Sequence, residues 1–297
     1  MSNTKTVRVP HLGGIDAAYQ MPREYDPAKP TLVLVNAFTT TSELFRQQFD
    51  DAELASQINL IAIELLGHGQ TRTAAEHWTY WDTAAMNFQV LDALGIGRVF
   101  ISGTSQGGCV TVLMALLNPE RIIGIIPVGT SMDSESERSR KLGCWDGASI
   151  VTGFAKQWTS STPTPGFEPD DVYCNALINI GFNECTAEVR DFWLRSIKLN
   201  YRDDDGRRRI RMAAITLAER GPLHLRLSDI RCPVLWLHGE KDVVFSAANA
   251  REEIELFTHS PDAKLVIVDG GAHFLNRTHH TVVNEAIEKF VGKYQEN

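Results

Sequence analysis

Short apolar runs alternate with longer helical patterns along most of the chain, and this alternation restricts the fold more than any other feature. The runs lie near 31–36, 59–64, 98–103, 123–128, 234–238 and 264–268. They are almost continuously hydrophobic, as expected for strands that are buried on both faces of a sheet. Because strands that alternate with helices form parallel sheets, the pattern predicts an α/β fold with a mostly parallel sheet and helices on both faces.

Two further regions modify this predicted sheet. Residues 5–10 and 15–20 flank a Gly-Gly pair and predict two antiparallel strands at the start, which brings the sheet to about eight strands. Between 132 and 215 the strand rhythm stops, and helical patterns with aromatic residues replace it. We therefore expect a core part at 1–131, an inserted helical cap at 132–215 and a second core part at 216–297.

The composition is that of an ordinary globular protein, with 43% hydrophobic and 22% charged residues. A formal net charge of -8 provides no positive field for a phosphate backbone, so nucleic acid is not an expected partner. The first residues lack the pattern of a signal peptide, and no run approaches the ~18 to 20 apolar residues of a membrane span. We expect a cytoplasmic protein without a membrane partner.

The five cysteines are an odd number and lack CxxC spacing. This pattern argues against a disulfide framework or a zinc site. No other cluster of His, Cys or Asp residues has the spacing of metal ligands. We therefore expect neither a metal nor a cofactor.

The segment 103–107 reads Gly-Thr-Ser-Gln-Gly and matches the pattern G-x-S-x-G. An apolar run precedes it and a helical pattern follows it, so Ser105 is predicted to lie on a tight strand-to-helix turn. Such a turn raises the serine oxygen above the carboxyl edge of the sheet, and the helix N-terminus faces a developing oxyanion. Ser105 is the predicted nucleophile, and the alternative is a glycine-rich structural turn.

A serine hydroxyl becomes a strong nucleophile only when a base removes its proton. His273 lies on a loop after the last predicted strand, from which it can reach the nucleophile turn. A carboxylate must orient the imidazole, and Asp242, on the loop after 234–238, completes the chain order Ser, Asp, His. Asp133, on the loop after 123–128, is an alternative acid because a triad is defined by geometry.

Two backbone amides are expected to stabilise the negative charge that develops on the substrate oxygen. One belongs to Gln106, directly after the nucleophile, and the other is assigned to Phe38 in the loop after strand 31–36. Thr39 could add a hydroxyl donor, although short threonine runs more often cap the next helix.

The predicted cap is rich in aromatic side chains, which either pack its own helices or cover a pocket. A pocket for a medium-sized apolar or aromatic compound is assigned to Thr39, Trp145, Phe154, Trp158, Phe182 and Trp193. The stretch 202–211 contains three consecutive aspartates and three consecutive arginines. It is interpreted as a solvated hinge or helix face, with an anion site as the alternative.

With these residues assembled, the chain resembles the α/β-hydrolase superfamily, particularly its cap-bearing esterases, enol-lactonases and proline-iminopeptidase-like members. The segment 67–71, Gly-His-Gly-Gln-Thr, is similar to the family's G-x-G-x-[ST] turn, and 94–96 is similar to its lead into the nucleophile strand. The resemblance covers essentially the whole chain. It implies the α/β-hydrolase fold and a triad of Ser105, Asp242 and His273.

Two positions depart from the family's pattern. Asn36-Ala37-Phe38 stands where the family usually has a His-Gly-hydrophobic sequence that organises the oxyanion loop. Glu64 stands where aspartate is usual, and a structural role is expected for it. The presence of Ser105 sets aside the epoxide-hydrolase and haloalkane-dehalogenase branches, whose covalent intermediate requires a carboxylate nucleophile.

The expected function is hydrolysis of a carboxylic ester or lactone of a small to medium apolar compound through an acyl-enzyme. Acyl transfer or carbon–carbon bond cleavage on the same triad is an alternative, decided by whether the cap admits water or another nucleophile. A ligand-binding receptor or accessory protein is an alternative of a different class. The expected partner is a small-molecule acyl substrate, and a homodimer is left open.

Overall fold

A single sheet of nine strands organises the computed structural model, which describes residues 4–295. The termini at 1–3 and 296–297, which belong to the predicted core parts, lie outside the described residues. The strands are β1 (Lys5–Val9), β2 (Ile15–Gln20), β3 (Thr31–Val35), β4 (Asn59–Ile63), β5 (Arg72–Thr73), β6 (Val99–Thr104), β7 (Ile122–Val128), β8 (Val234–Gly239) and β9 (Ala263–Val268).

The spatial order of the strands is β1-β2-β4-β3-β6-β7-β8-β9, and the short β5 pairs with β2. β1, β2 and β5 form the antiparallel part of the sheet, whereas β3, β4 and β6 to β9 run parallel to one another. The prediction of a mostly parallel sheet with two antiparallel strands at its start is confirmed. The carboxyl ends of the parallel strands meet at one edge, where the candidate site lies.

Eight helices of eight or more residues accompany the sheet in the described range 4–295. They are α1 (Tyr80–Ala93), α2 (Gln106–Leu117), α3 (Gly147–Gln157), α4 (Asp171–Phe182), α5 (Ala187–Asn200), α6 (Asp203–Ala218), α7 (Ala247–Ile254) and α8 (His280–Tyr294). Shorter helical segments are His11–Gly13, Ser42–Phe45, Arg46–Phe49, Leu54–Gln57, Pro119–Arg121, Glu137–Lys141, His224–Asp229 and Leu275–Thr278. None of the helices described is both long and apolar enough to cross a membrane.

The two faces of the sheet bury alternate residues of the central parallel strands. In β3, Val33 and Val35 pack in one cluster with Val110 of α2, whereas Leu32 and Leu34 pack in a second cluster with residues of α8. All five residues of β3 are buried, which explains why the strand is hydrophobic at successive positions. Each such side chain contributes about 1.5–3 kcal/mol relative to exposure, so two cores stabilise the centre of the sheet.

The charged stretch 202–211 forms the start of α6 and is not a solvated segment throughout. The side chains of Arg207 and Arg209 are only 7% and 8% exposed. Arg207 donates to Asp204 at 2.8 Å, and Arg209 donates to Asp205 at 2.8 Å. The prediction of a solvated hinge or face is wrong for these two arginines, because helical spacing pairs each with an aspartate. The remaining guanidinium nitrogens of both arginines donate to the backbone carbonyls of Trp158, Gly67 and Asn200.

Candidate active site

Ser105 lies between β6 and α2 in a conformation that L-residues rarely adopt. Its φ is 54° and its ψ is -115°, and holding a non-glycine residue in such a region costs about 1–3 kcal/mol. Neighbouring hydrogen bonds offset this cost: the Ser105 amide donates to Val128 O at 2.8 Å, and Thr130 Oγ1 donates to Ser105 O at 2.8 Å. The strand-turn-helix geometry predicted for the motif is therefore present.

The two motif glycines are required by close backbone contacts around this turn. A Cβ atom at Gly103 would lie 2.1 Å from the carbonyl oxygen of Gly107. A Cβ atom at Gly107 would lie 2.1 Å from the carbonyl oxygen of Val35 in β3. Any side chain at either position would therefore force α2 away from the sheet and displace Ser105.

His273 and Asp242 meet at the carboxyl ends of β8 and β9. His273 Nδ1 lies 2.9 Å from Asp242 Oδ2, and both side chains are buried. The other carboxylate oxygen accepts from the amides of Val244 and Phe245 at 2.8 and 3.0 Å. Burial by itself raises the pKa of Asp242, but the imidazole of His273 and these hydrogen bonds lower that pKa below its usual value. Asp242 is therefore held as a carboxylate.

Asp133 does not share this arrangement. Its carboxylate accepts from the amide of Ser134 at 2.7 Å and from the hydroxyl of Ser136, within its own loop. The structure thus brings Asp242, and not the alternative Asp133, to His273.

Ser105 and His273 line the same cavity, although no hydrogen bond joins Ser105 Oγ to the imidazole among the described residues. Such contacts often tighten only when substrate is bound.

A small cavity of about 40 Å³ lies in front of Ser105, and we call it the nucleophile chamber. Phe38, Gln106, His273 and Trp145 also line it, so it contains five of the predicted site residues. Its other walls are mostly apolar and include several residues that sequence reasoning missed: Leu177, Ile180, Leu217, Arg220, Val244 and Phe245. Only the three-residue spacing of Leu177 and Ile180, which puts both on one helix face, could have suggested any of them.

The other predicted pocket residues do not line this chamber, which corrects the predicted lining. Phe154 and Trp158 stack 5.5 Å apart and pack against Tyr173. Phe182 and Trp193 belong to a separate buried cluster with Phe274. The hydroxyl of Thr39 donates to the carbonyl of Phe38. These aromatic side chains pack the helices between β7 and β8 together with aliphatic side chains such as Val151, Ile178 and Ile197.

The unusual Asn36 organises the loop that bears Phe38. Asn36 is buried, its Nδ2 donates to Thr40 O at 2.8 Å, and its Oδ1 accepts from the Leu65 amide at 2.9 Å. Its amide therefore ties both ends of the 36–40 loop to the backbone that follows β4. A side chain with one donor group and one acceptor explains how the loop is ordered without the family's usual His-Gly sequence.

Glu64 forms a second buried link beside this loop. It accepts from the amide and hydroxyl of Ser42 at 3.1 and 2.9 Å, and from the amide of Gln70 at 2.6 Å. Burial raises the pKa of Glu64 above its usual value, even though these donors act in the opposite direction. The contacts are those of a structural residue, which joins the start of the Ser42–Phe45 helix to the 67–71 turn.

Within residues 4–295, no group of three or more His, Cys, Asp or Glu residues is arranged to hold a metal ion.

Comparisons with known proteins agree with this architecture. Residues 30–279 match the family model described as alpha/beta hydrolase fold. An esterase from Thermogutta terrifontis superposes with a TM-score of 0.79 at 18% identity, covering 98% of this chain and 99% of the other. The enol-lactonase from Burkholderia xenovorans LB400 gives a TM-score of 0.75 at 17% identity, covering 96% and 100%. At these identities the likeness concerns the fold.

A curated relative is the dihydrolipoyllysine-residue acetyltransferase component of the acetoin cleaving system of Pseudomonas putida. It is 22% identical over 265 residues, which is 89% of this chain but only 64% of that protein's length. The family match, by contrast, extends over most of the chain and includes the nucleophile turn, Asp242 and His273. The chain therefore belongs to the α/β-hydrolase superfamily of enzymes.

Proposed function

We propose that this protein is a serine hydrolase that cleaves a carboxylic ester or lactone of a small to medium apolar compound through an acyl-enzyme. One observation carries the proposal: a serine on a strained strand-to-helix turn faces the same chamber as a histidine whose Nδ1 lies 2.9 Å from a buried carboxylate. These are the groups that activate a serine for attack on a carbonyl carbon.

In the proposed reaction, Ser105 Oγ attacks the substrate carbonyl while His273 Nε2 takes the hydroxyl proton. The amides of Phe38 and Gln106 donate to the oxyanion of the tetrahedral intermediate. Asp242 holds the proton on Nδ1 of His273 and stabilises the imidazolium. Collapse of the intermediate transfers the proton from Nε2 to the leaving alcohol and leaves an ester of Ser105. Water, activated by the same imidazole, then attacks this ester and releases the acid.

The walls of the nucleophile chamber support an apolar substrate. Leu177 and Ile180 of α4 and Val244 and Phe245 after β8 surround the position of the scissile bond, and such walls exclude water and strengthen the hydrogen bonds to the oxyanion. The contributions of α4 and α6 to this lining also support the proposal that the predicted helical segment, extended to the end of α6 at Ala218, acts as a cap over the site.

A covalent probe tests the proposed function directly. A fluorophosphonate is expected to add one phosphonyl group per chain, on Ser105, and to abolish hydrolysis of 4-nitrophenyl butyrate in parallel. Intact-mass and peptide mass spectrometry measure the adduct, and absorbance at the nitrophenolate band measures turnover. A protein that neither turns over the ester nor forms an adduct at Ser105 would favour the receptor alternative.

The role of Asn36 as a positioning residue can be measured separately. Asn36→Ala is expected to lower kcat by about 10²-fold with little change in KM, because the Phe38 amide loses its fixed position toward the oxyanion. Asn59→Ala is the matched control, since Asn59 is also buried and bonds the backbone of Asp26 and Lys29 away from the site. Each variant is expected to lose about 1–3 kcal/mol of stability. Equal effects of the two variants on kcat would assign Asn36 a structural role alone.

A further inference from the structure

A second cavity of about 240 Å³ adjoins the nucleophile chamber. Cys109 and Arg220 line both cavities, so these two residues form the boundary between them. The larger cavity lies between the beginning of α1 and the end of α6, and we call it the second chamber. It has the volume for a ring-sized group, whereas the nucleophile chamber, at about 40 Å³, has room for little beyond the reacting carbonyl.

The lining of the second chamber favours an aromatic ring. Trp78, Tyr80 and Trp81 form one wall, and Met132 and Met212 contribute thioether side chains. A pair of aromatic rings in contact is stabilised by about 0.5–1.5 kcal/mol more than the burial of its apolar area alone provides. Sulfur–aromatic contacts add about 0.3–1.5 kcal/mol each. A planar ring therefore gains more from these walls than a branched aliphatic group of the same volume.

The hydroxyl of Tyr80 is one of several polar groups at this chamber, beside the charged side chains of Asp133, Glu219, Arg220 and Arg226. It is buried and has no hydrogen-bond partner among the described residues, although the ring lines the cavity. Burial raises the pKa of Tyr80 well above its usual value, while the charge of Arg220 lowers it. The hydroxyl therefore stays protonated and can donate. A buried donor without a partner is costly, and a ligand oxygen that accepts from it would remove that cost.

The charges at the boundary determine which oxygen is preferred. Arg220 forms a buried ion pair with Glu135, and it also donates to Leu217 O at 2.6 Å and to Asp133 O at 3.2 Å. Its positive charge is thus already balanced by a carboxylate, and Asp133 also lines the chamber. Glu219 and Arg226 also line the chamber, and Arg226 is paired with Asp229. A carboxylate ligand would therefore meet the carboxylates of Asp133 and Glu219, while both arginines of this lining are already paired, whereas a neutral oxygen can accept from Tyr80 without that repulsion.

We propose that the second chamber binds the acyl group of the substrate, and that this group is an aromatic ring with a neutral oxygen that accepts a hydrogen bond from Tyr80. The assignment to the acyl side rests on the proposed function, in which the leaving alcohol must lie at His273. His273 lines only the nucleophile chamber, whereas Cys109, one helical turn after Ser105, lines both chambers.

Binding to a protein that cannot turn over tests the chamber independently of catalysis. In Ser105→Ala protein, 4-propylphenol is expected to bind more tightly than propylbenzene or 4-propylbenzoate, measured by calorimetry and by quenching of tryptophan fluorescence. Adding Tyr80→Phe should weaken the binding of 4-propylphenol about tenfold and leave the Kd for propylbenzene within about twofold of its value without this change. Adding Ile215→Trp, which fills the chamber, should abolish binding of both, whereas Ile150→Trp on the exposed face of α3 should change neither. Equal effects of Ile215→Trp and Ile150→Trp would overturn the proposal.

Turnover by the unaltered active site tests the assignment to the acyl group. Ile215→Trp is expected to lower the ratio of kcat/KM for 4-nitrophenyl 3-(4-hydroxyphenyl)propanoate to kcat/KM for 4-nitrophenyl acetate at least about tenfold. Ile150→Trp, outside the chamber, is expected to leave kcat/KM for both esters within about twofold. Equal losses with both esters, or sensitivity only to the size of the alcohol, would overturn the assignment. Because the ligands bind without Ser105, failure of the proposed hydrolase function would appear as lost turnover with retained binding.

Discussion

Ser105→Ala is expected to lower kcat for 4-nitrophenyl butyrate by at least about 10⁴-fold, because no other group can form the acyl-enzyme. The remaining rate would come from the oxyanion donors and the chamber walls acting on water directly. Steady-state absorbance measures the loss, after a fluorophosphonate titration has corrected for any contaminating hydrolase. The same variant should take up no phosphonyl group at position 105.

Ser102→Ala is the matched control for this variant. Ser102 lies on β6, three residues before Ser105, is buried, and donates from Oγ to the carbonyl of Ile126 at 3.0 Å. Its replacement is expected to lower stability by about 1 kcal/mol and to leave kcat within about twofold. If Ser105→Ala kept more than a tenth of the activity, the nucleophile would have been assigned to the wrong residue.

The second large effect is expected at Asp242. Asp242→Asn keeps the shape of the side chain but removes the charge, and an amide can present an N–H toward Nδ1 of His273. The imidazole would then carry its proton on Nε2, which is the atom that must accept the proton of Ser105. We expect kcat to fall by about 10⁴-fold at neutral pH, with KM changed far less. Circular dichroism and the thermal midpoint check that the variant is folded.

Asp133→Asn provides the comparison that separates the two candidate acids. Asp133 is also buried, but its carboxylate bonds Ser134 and Ser136 instead of an imidazole. We expect this variant to keep kcat for 4-nitrophenyl acetate within about threefold and to lose only some stability. A fall of several orders of magnitude for Asp133→Asn, without one for Asp242→Asn, would mean that His273 changes its partner during turnover.

The sheet could be predicted from the sequence because its signals are local. A strand buried on both faces must be hydrophobic at successive positions, as β3 is, and a helix must follow it for the next strand to run parallel. The turn at Ser105 was also signalled locally, by the motif at 103–107 between an apolar run and a helical pattern, although the contact that requires Gly107 is made with Val35 of β3. The antiparallel pair β1 and β2 was predicted from the turn between them for the same reason.

The lining of the chambers could not be predicted in this way. Composition and helical pattern indicated that Phe154, Trp158, Phe182 and Trp193 were available for a pocket, but the structure uses them to pack helices. Whether an aromatic side chain faces a cavity or a neighbouring helix depends on how the helices between β7 and β8 dock, and that docking leaves no periodic signal in one sequence. Arg220 and Leu217 were overlooked because they lie beyond the predicted end of the cap.

By itself, the sequence determined the α/β class, the strands, the nucleophile turn and the identity of the residues proposed as nucleophile, base and acid. Only the tertiary structure decided that Asp242 and not Asp133 meets His273, and that Asn36 ties the Phe38 loop to Leu65. It also decided that a second chamber adjoins the nucleophile chamber, with a Tyr80 hydroxyl that has no partner among residues 4–295. The physical reason is distance along the chain. Strands and turns arise from neighbouring residues, whereas each of these contacts joins segments that approach one another only when the sheet and helices pack.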